Sequence, residues 1–217
     1  MKVIAINGGP RKEWNTATLL RHALDGAASN GAETKLIHLY DLSYKGCYSC
    51  FACKMIGNTS YGCCAAGDDL KPVLEEIAEA DALILGSPVY FSNVTGQMRS
   101  FFERLMFPYM KYDANHSSLF KRKLSTAFIV TMNVTEEVLK QRGYDTTFKF
   151  FQDTMTHTFG HCEFLTFTDT LQFEDYSKYD APRFDPVHKK QRREEVFPSD
   201  CKKVFDLGAR FAEGVQK

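Results

Sequence analysis

Residues 1–18, MKVIAINGGPRKEWNTAT, decide the fold. An apolar strand from Val3 to Ile6 runs into a Gly-Gly-Pro turn, and after a polar loop an amphipathic helix begins near Asn15. The first backbone N–H groups of a helix have no partner within that helix, so this order of elements builds an anion site. The alternative interpretation is an ordinary turn that ends in an Asn/Thr helix cap.

The loop carries neither of the two common phosphate-binding signatures. It has no G-K-[ST] after a spaced glycine, and the dinucleotide pattern G-x-G-x-x-G is absent. It does carry side-chain donors at Arg11, Asn15, Thr16 and Thr18. The stretch therefore predicts a phosphate cradle that needs no metal ion.

Composition narrows the function classes. The 217 residues contain 27 Lys+Arg and 27 Asp+Glu, a balance that argues against a nucleic-acid or anionic membrane partner. No apolar run has membrane-spanning length and no signal-peptide pattern opens the chain, so we expect a cytoplasmic protein. In that compartment the seven cysteines are expected to be thiols or metal ligands rather than disulfides.

Strand and helix patterns alternate along the chain, which predicts one α/β domain over residues 1–217 with a cysteine-rich excursion at 43–69. Strands are predicted at 3–6, 34–40, 82–85, 124–131 and 164–167. Helices are predicted from Asn15 to Asn30-Gly31, at 70–80, 97–106 and 146–159, and in a C-terminal helix after Pro186 or Pro198. Five strands with helical crossovers give a doubly wound parallel sheet with helices on both faces.

Three loops are expected to meet at one crevice. The loops 7–18, 87–95 and 131–134 each follow a predicted strand and carry polar, turn-forming residues. In a doubly wound sheet, ligands bind beyond the carboxyl ends of the strands, at the point where strand order reverses. One site served by three loops is a more specific signal than any single motif.

The first loop, the segment GSPVYFSNVTGQMRSFFER at 86–104 and the cysteine excursion together resemble the flavodoxin-like NAD(P)H-dependent FMN reductases. More narrowly, they are similar to the branch that includes the iron–sulfur flavoproteins, and the resemblance extends over about residues 1–135. It implies a flavodoxin-like five-stranded sheet of order 2-1-3-4-5, FMN as cofactor and NAD(P)H as electron donor.

The resemblance also implies which residues bind the cofactor. The phosphate loop would comprise Gly9, Pro10, Arg11, Asn15, Thr16, Ala17 and Thr18. The flavin ring would lie along Pro88, Val89, Tyr90, Phe91, Ser92 and Asn93, with Thr131, Met132 and Asn133 on its other flank. Family loops read G-S-P-R where this chain has a glycine at position 9, so one phosphate hydrogen bond worth about 1–2 kcal/mol is lost unless Lys12 or Trp14 compensates.

The cysteine excursion leaves three hypotheses open. Cys47, Cys50 and Cys53 form a C-x2-C-x2-C run, and with Cys64 they could ligate a [4Fe–4S] cluster. The interval to Cys64 is longer than in the iron–sulfur flavoproteins, so thiols without a metal are favoured over a cluster. A zinc site made from the same four residues is the third alternative.

The sequence therefore predicts an FMN-binding oxidoreductase that passes electrons from NAD(P)H to a flavin, a quinone or a similar acceptor. Hydride transfer needs orientation rather than a side-chain base, so no catalytic residue is predicted. The alternative is an iron–sulfur flavoprotein that transfers electrons to a redox protein, and a third class is a flavodoxin-like protein that binds no flavin. Residues 101–110 and 148–151 carry more apolar surface than one helix face needs. Core packing explains most of it, and a homodimer interface, which we predict, is the sharper alternative.

Two further features complete the interpretation. The mixed charges of 189–195 at helical spacing predict a solvated helix face rather than a binding site. Cys162 and Cys201 stand alone in apolar settings and are predicted to be core residues.

Overall fold

The structure is a computed structural model that describes residues 1–214. Its five strands are β1 (Lys2–Asn7), β2 (Glu33–His38), β3 (Ala82–Pro88), β4 (Ser125–Thr131) and β5 (Glu163–Phe167). Its α-helices are α1 (Asn15–Ser29), α2 (Leu70–Glu79), α3 (Gly96–Met106), α4 (Glu136–Gln141), α5 (Tyr144–Phe159), α6 (Pro186–Glu195) and α7 (Phe197–Ala212).

The strands form one parallel sheet of order β2-β1-β3-β4-β5, which confirms the predicted fold. Strand order reverses between β1 and β3, because the chain moves from β1 outward to β2 and then returns to pair β3 with β1. This reversal places a crevice beyond the carboxyl ends of β1 and β3.

Alternate side chains of the sheet supply two cores. From β1, Val3 and Ala5 face the layer formed by α1 and α7, whereas Ile4 and Ile6 face the layer that includes α2, α3 and α5. The central strand β3 is buried along nearly its whole length, as a parallel strand covered on both faces should be. Among the described residues, no helix combines the length and apolar character needed to cross a bilayer.

The structure differs from the sequence-based elements mainly after β4. The short helix α4 was not predicted, and the predicted C-terminal helix is two helices, α6 and α7, that meet at Val196. Pro198 lies in the first turn of α7, where its missing N–H costs nothing, so each of the two prolines considered starts its own helix. Cys162 and Cys201 are buried, as predicted.

Candidate functional site

The three predicted loops meet in a cleft of about 380 Å³ at the carboxyl ends of β1, β3 and β4. Eleven of the residues predicted to bind the cofactor line this cleft: Gly9, Pro10, Arg11, Asn15, Thr16, Pro88, Val89, Tyr90, Thr131, Met132 and Asn133. The remaining predicted residues, Ala17, Thr18, Phe91, Ser92 and Asn93, lie near the cleft in the chain but do not line it.

Close packing explains the double glycine in the first loop. A Cβ added to Gly8 would lie 2.7 Å from Cβ of Met98, and one added to Gly9 would lie 3.1 Å from Cδ of Pro88. Asn7 braces the turn, since its side chain accepts a hydrogen bond from the Gly9 N–H at 2.9 Å and donates to the Gly9 carbonyl at 3.1 Å. A side chain at position 8 would therefore move the loop away from α3.

Donors at the start of α1 converge on the loop that follows β5. Asn15 Nδ2 and Trp14 Nε1 donate to the Leu171 carbonyl at 2.8 and 3.1 Å, and Arg11 Nη1 donates to the Gln172 carbonyl at 2.7 Å. The first turn of α1 carries no acidic residue, so no carboxylate there opposes an anion. The cleft thus presents a helix N-terminus surrounded by donors.

A hydroxyl pair joins the first loop to the third. Thr16 Oγ1 and Thr131 Oγ1 lie 2.7 Å apart, and both residues are buried. Thr131 is the last residue of β4, so this contact fixes the start of α1 against the sheet. Residues 131–133 therefore occupy a defined wall of the cleft rather than a free loop.

The second loop ends in a tight turn. The backbone N–H of Tyr90 donates to the Asn93 carbonyl at 2.7 Å, and the N–H of Asn93 donates back to Tyr90 at 3.0 Å. Phe91 and Ser92 at the tip have φ values of 47° and 65°, an uncommon conformation for a bulky residue such as Phe91. Tyr90 is 45 % exposed and lines the cleft, whereas Phe91 is fully exposed outside it.

Sequence reasoning missed a fourth wall, which is made by the segment between β5 and α6. Thr170, Leu171, Gln172, Phe173 and Tyr179 line the cleft, and Trp14 was considered only as a substitute donor. The rings of Phe173 and Tyr179 are stacked, with centroids 3.9 Å apart and planes 11° apart. The first three loops were recognised by the polar, turn-forming residues directly after a strand. That signal is weak here, because this segment is long and irregular.

A buried ion pair holds the third loop from outside. Lys189 of α6 is only 3 % exposed, and its Nζ donates to the Asn133 carbonyl at 2.6 Å and to the carboxylate of Asp169. Burial alone would raise the pKa of Asp169, but hydrogen bonds from Lys189 and His188 hold that pKa below its ordinary value. The prediction of a solvated face for 189–195 was therefore wrong at Lys189, because its side chain turns inward to this carboxylate.

The cysteines of the excursion form a second candidate site. Cys47, Cys50, Cys53 and Cys64 line one small cavity against α3, while Cys63 does not line it. Within residues 1–214, however, no group of three or more His, Cys, Asp or Glu side chains is placed to hold a single metal ion. The four thiols surround a shared space without meeting at one point.

The surroundings of these thiols are suited to negative charge. Buried Arg104 donates from Nε to Cys64 Sγ at 3.1 Å and pairs with Asp68 at 2.6 Å. Ser49 and Phe51, on either side of Cys50, both have positive φ, so the loop turns sharply at this cysteine. Burial raises the pKa of the Cys53 thiol, so a positive group is needed to keep it as a thiolate.

Comparison with known proteins gives a family match and several relatives. The family model described as NADPH-dependent FMN reductase matches residues 1–147. An iron-sulfur flavoprotein of Methanocaldococcus jannaschii is 43% identical over 104 residues, which are 48% of this chain and 51% of the relative. One from Archaeoglobus fulgidus is 34% identical over 134 residues, which are 62% of this chain and 56% of the relative. The chain thus spans about half the length of the curated relatives it matches.

Solved structures support the fold. The chain superposes on an NAD(P)H:quinone oxidoreductase from Methanothermobacter marburgensis with a TM-score of 0.66 and 14% identity, over 100% of this chain and 98% of that one. It also superposes on an FMN-dependent NADH-azoreductase from Bacillus anthracis, in complex with FMN, with a TM-score of 0.64 and 14% identity, over 98% and 100% of the chains. At these identities the likeness concerns the fold alone.

Proposed function

Since the chain belongs to the NADPH-dependent FMN reductase family, we propose that it is a flavoprotein oxidoreductase that binds FMN in the cleft between the first three loops. The observation that carries this proposal is the convergence of those loops on one cleft at the point where strand order reverses. One end of the cleft, at α1, is rich in hydrogen-bond donors and suits a phosphate. Its walls are made partly of apolar and aromatic side chains and suit a flat ring.

The phosphate end would be formed by the start of α1. Backbone N–H groups of the first turn are free to face an anion, and Arg11, Asn15 and Thr16 add side-chain donors beside them. FMN is proposed rather than FAD, because the loop caps a helix and carries no dinucleotide fingerprint. Identification of FAD as the acid-released cofactor would contradict this choice.

The ring end would lie between Tyr90 and the 131–133 wall. Asn133 Oδ1 is a buried oxygen without a hydrogen-bond partner among the described residues, so a ring that carries an N–H donor would satisfy it. Bound FMN would supply the redox chemistry by taking a hydride from a reduced nicotinamide and passing electrons to a second acceptor. The residues of the chain would bind and orient, and no side-chain acid or base is assigned.

Flavin titration tests the proposal. Asn15→Ala combined with Thr16→Ala should weaken FMN binding by about 2–3 kcal/mol, the worth of two hydrogen bonds to a charged group. Riboflavin, which lacks the phosphate, should lose much less affinity. NADH or NADPH should then reduce the bound flavin without added metal, with a flavin, quinone or similar small molecule as acceptor. If dithionite reduces it and neither nicotinamide does, an electron carrier becomes the better interpretation.

We also propose that the protein is a homodimer. A groove of about 630 Å³ between α3 and α5 is lined by apolar side chains that include Phe102, Met106 and Phe150, and Phe150 is 54 % exposed. Phe150→Asp should shift the sedimentation coefficient toward that of a monomer. Val187→Asp, at an exposed position of α6, is the matched control. A wild-type monomer at micromolar concentration would contradict the proposal.

A second candidate function is electron transfer through a [4Fe–4S] cluster held by Cys47, Cys50, Cys53 and Cys64. The specific observation in its favour is that these four thiols line one cavity beside Arg104, with two left-handed residues in the loop. The relatives named iron-sulfur flavoproteins agree with it. Zinc is the less favoured occupant, because no group of three or more His, Cys, Asp or Glu side chains within residues 1–214 is placed to hold a single metal ion.

Adjacent cysteines provide the matched test. In anaerobically reconstituted protein, Cys64→Ser should remove most of the iron and the broad visible absorption, whereas Cys63→Ser should retain both because Cys63 lies outside the cavity. Equal loss in the two variants would contradict the assignment of Cys64. Wild-type protein without iron, but with normal FMN content and NAD(P)H oxidation, would leave the thiols without a cluster.

A further inference from the structure

Arg193 of α6 reaches the start of α1 from a part of the chain beyond the family match. Its Nη1 donates to Asn15 Oδ1 at 2.8 Å, and its guanidinium carbon lies 3.9 Å from the ring centroid of Phe197. The family model ends at residue 147, so Arg193 lies outside the match whereas its partner Asn15 lies within it. This cation–π contact with Phe197 restrains the Arg193 guanidinium.

The contact determines which way the Asn15 amide points. An arginine can only donate hydrogen bonds, and a backbone carbonyl such as that of Leu171 can only accept them. With Oδ1 toward Arg193 and Nδ2 toward Leu171 at 2.8 Å, both contacts are satisfied, and the reversed amide would lose both. The Asn15 nitrogen is therefore held on the cleft side, and a primary amide nitrogen carries a second hydrogen beyond the one that Leu171 accepts.

The charge of Arg193 is a second feature of this contact. Its neighbour Arg192 pairs with Asp200 at 2.6 Å, but within residues 1–214 no carboxylate forms an ion pair with Arg193. A half-buried cation without a counter-ion is costly unless an anion binds nearby. The N-terminus of α1 adds its own partial positive charge at the same place.

We propose that Arg193 is a positioning residue for the phosphate of FMN: it fixes the Asn15 amide toward the cleft, and its unpaired charge favours a ligand that ends in phosphate. The inference rests on the proposed function. Arg193 would act through Asn15 and would not itself touch the cofactor.

Titration with two ligands separates positioning from general stability. FMN and riboflavin differ by the phosphate, so Arg193→Gln should weaken FMN binding about 10-fold and riboflavin binding less than about 2-fold. Lys190→Gln removes a charge from the exposed side of the same helix and should change neither affinity. In an Asn15→Ala background, Arg193→Gln should weaken FMN binding less than about 3-fold, because the positioning effect through Asn15 is gone and only the effect of the charge remains.

The outcomes are distinguishable. If the wild type binds FMN and Arg193→Gln leaves its affinity unchanged, or lowers FMN and riboflavin affinity equally, the role assigned to Arg193 is wrong and the proposed function stands. If the wild type binds neither ligand, the proposed function fails and the inference fails with it. Should Arg193→Gln not fold, Arg193→Lys keeps a charge and a donor, and it must retain more FMN selectivity over riboflavin than the Asn15→Ala variant does.

Discussion

Replacing Gly26 of α1 with alanine should strongly destabilise the protein, because α1 and α7 touch there through backbone atoms. A Cβ on Gly26 would lie 1.9 Å from the Phe205 carbonyl oxygen, and one on Gly208 would lie 1.7 Å from the Ala23 carbonyl oxygen. A carbon in contact with a carbonyl oxygen stays about 3.3 Å or more away, so the helices would have to separate by about 1.4 Å. Neither backbone segment can rotate away as a side chain could.

The magnitude follows from the packing that such a separation removes. A gap of 0.5–1 Å already forfeits about a quarter to a half of the dispersion energy of each contact, and the α1–α7 layer includes the buried side chains of Leu20, Leu24, Val204 and Phe211. We expect a loss of at least about 3 kcal/mol of unfolding free energy, at the upper end for overpacked cores. For a chain of this length that corresponds to a decrease in melting temperature of about 6–12 °C.

Gly96→Ala is the matched control for this measurement. Gly96 begins α3, it has no atom within 4 Å of a Cβ position and its φ is not in the left-handed region. The substitution there should be neutral or stabilise by up to about 1 kcal/mol. Urea unfolding followed by circular dichroism measures both variants. If Gly26→Ala unfolds within about 1 kcal/mol of Gly96→Ala, the close approach of the two helices is wrong.

Three further results are expected. Tyr90→Ala should lower flavin affinity and change the flavin reduction potential. Phe91→Ala should change neither, because of these two residues Tyr90 alone lines the cleft. Equal effects of the two substitutions would place the flavin ring at the tip of the turn instead. Because the pKa of Asp169 is held low in the folded state, this carboxylate contributes its full stabilisation above about pH 4, and that stabilisation is lost as the pH falls through the folded-state pKa. Asp169→Asn should therefore be less stable than the wild type at neutral pH. In thermal melts it should also lose less stability on acidification. Burial raises the pKa of Cys162 to about 12, so metal-free native protein should be alkylated by iodoacetamide at exposed Cys47 and not at Cys162, as peptide mass mapping would show.

The first half of the architecture could be predicted because local signals there agree with tertiary structure. The β1 strand, the glycine turn and α1 each carry their own pattern, and the bounds of α1 at Asn15 and Ser29 match the predicted start and end. Polar, turn-forming residues after three predicted strands indicated that three loops meet at one edge of the sheet. The order of the strands came from the family resemblance and not from the patterns themselves.

The fourth wall of the cleft could not be predicted for a physical reason. Its contacts to the first loop are made by the backbone carbonyls of Leu171 and Gln172, which every residue possesses and no sequence pattern marks. The prediction that Lys189 is exposed was wrong for a different reason. Its charge pattern fits an exposed helix, and only the distant carboxylate of Asp169 explains why the side chain is buried.

Because of these contacts, the carboxy-terminal third of the chain belongs to the site itself and does not merely cover it. The residues beyond 147 supply the wall at Leu171, the amide anchor at Arg193 and the lysine that holds the Asn133 carbonyl. They also supply α7, whose Gly208 lets it approach α1 at backbone distance. The start of α1 is therefore fixed from both sides, by the sheet through Thr16 and Thr131 and by α6 through Asn15. The geometry of the proposed phosphate site therefore depends on contacts from the carboxy-terminal third of the chain as well as on the contacts within its own loop.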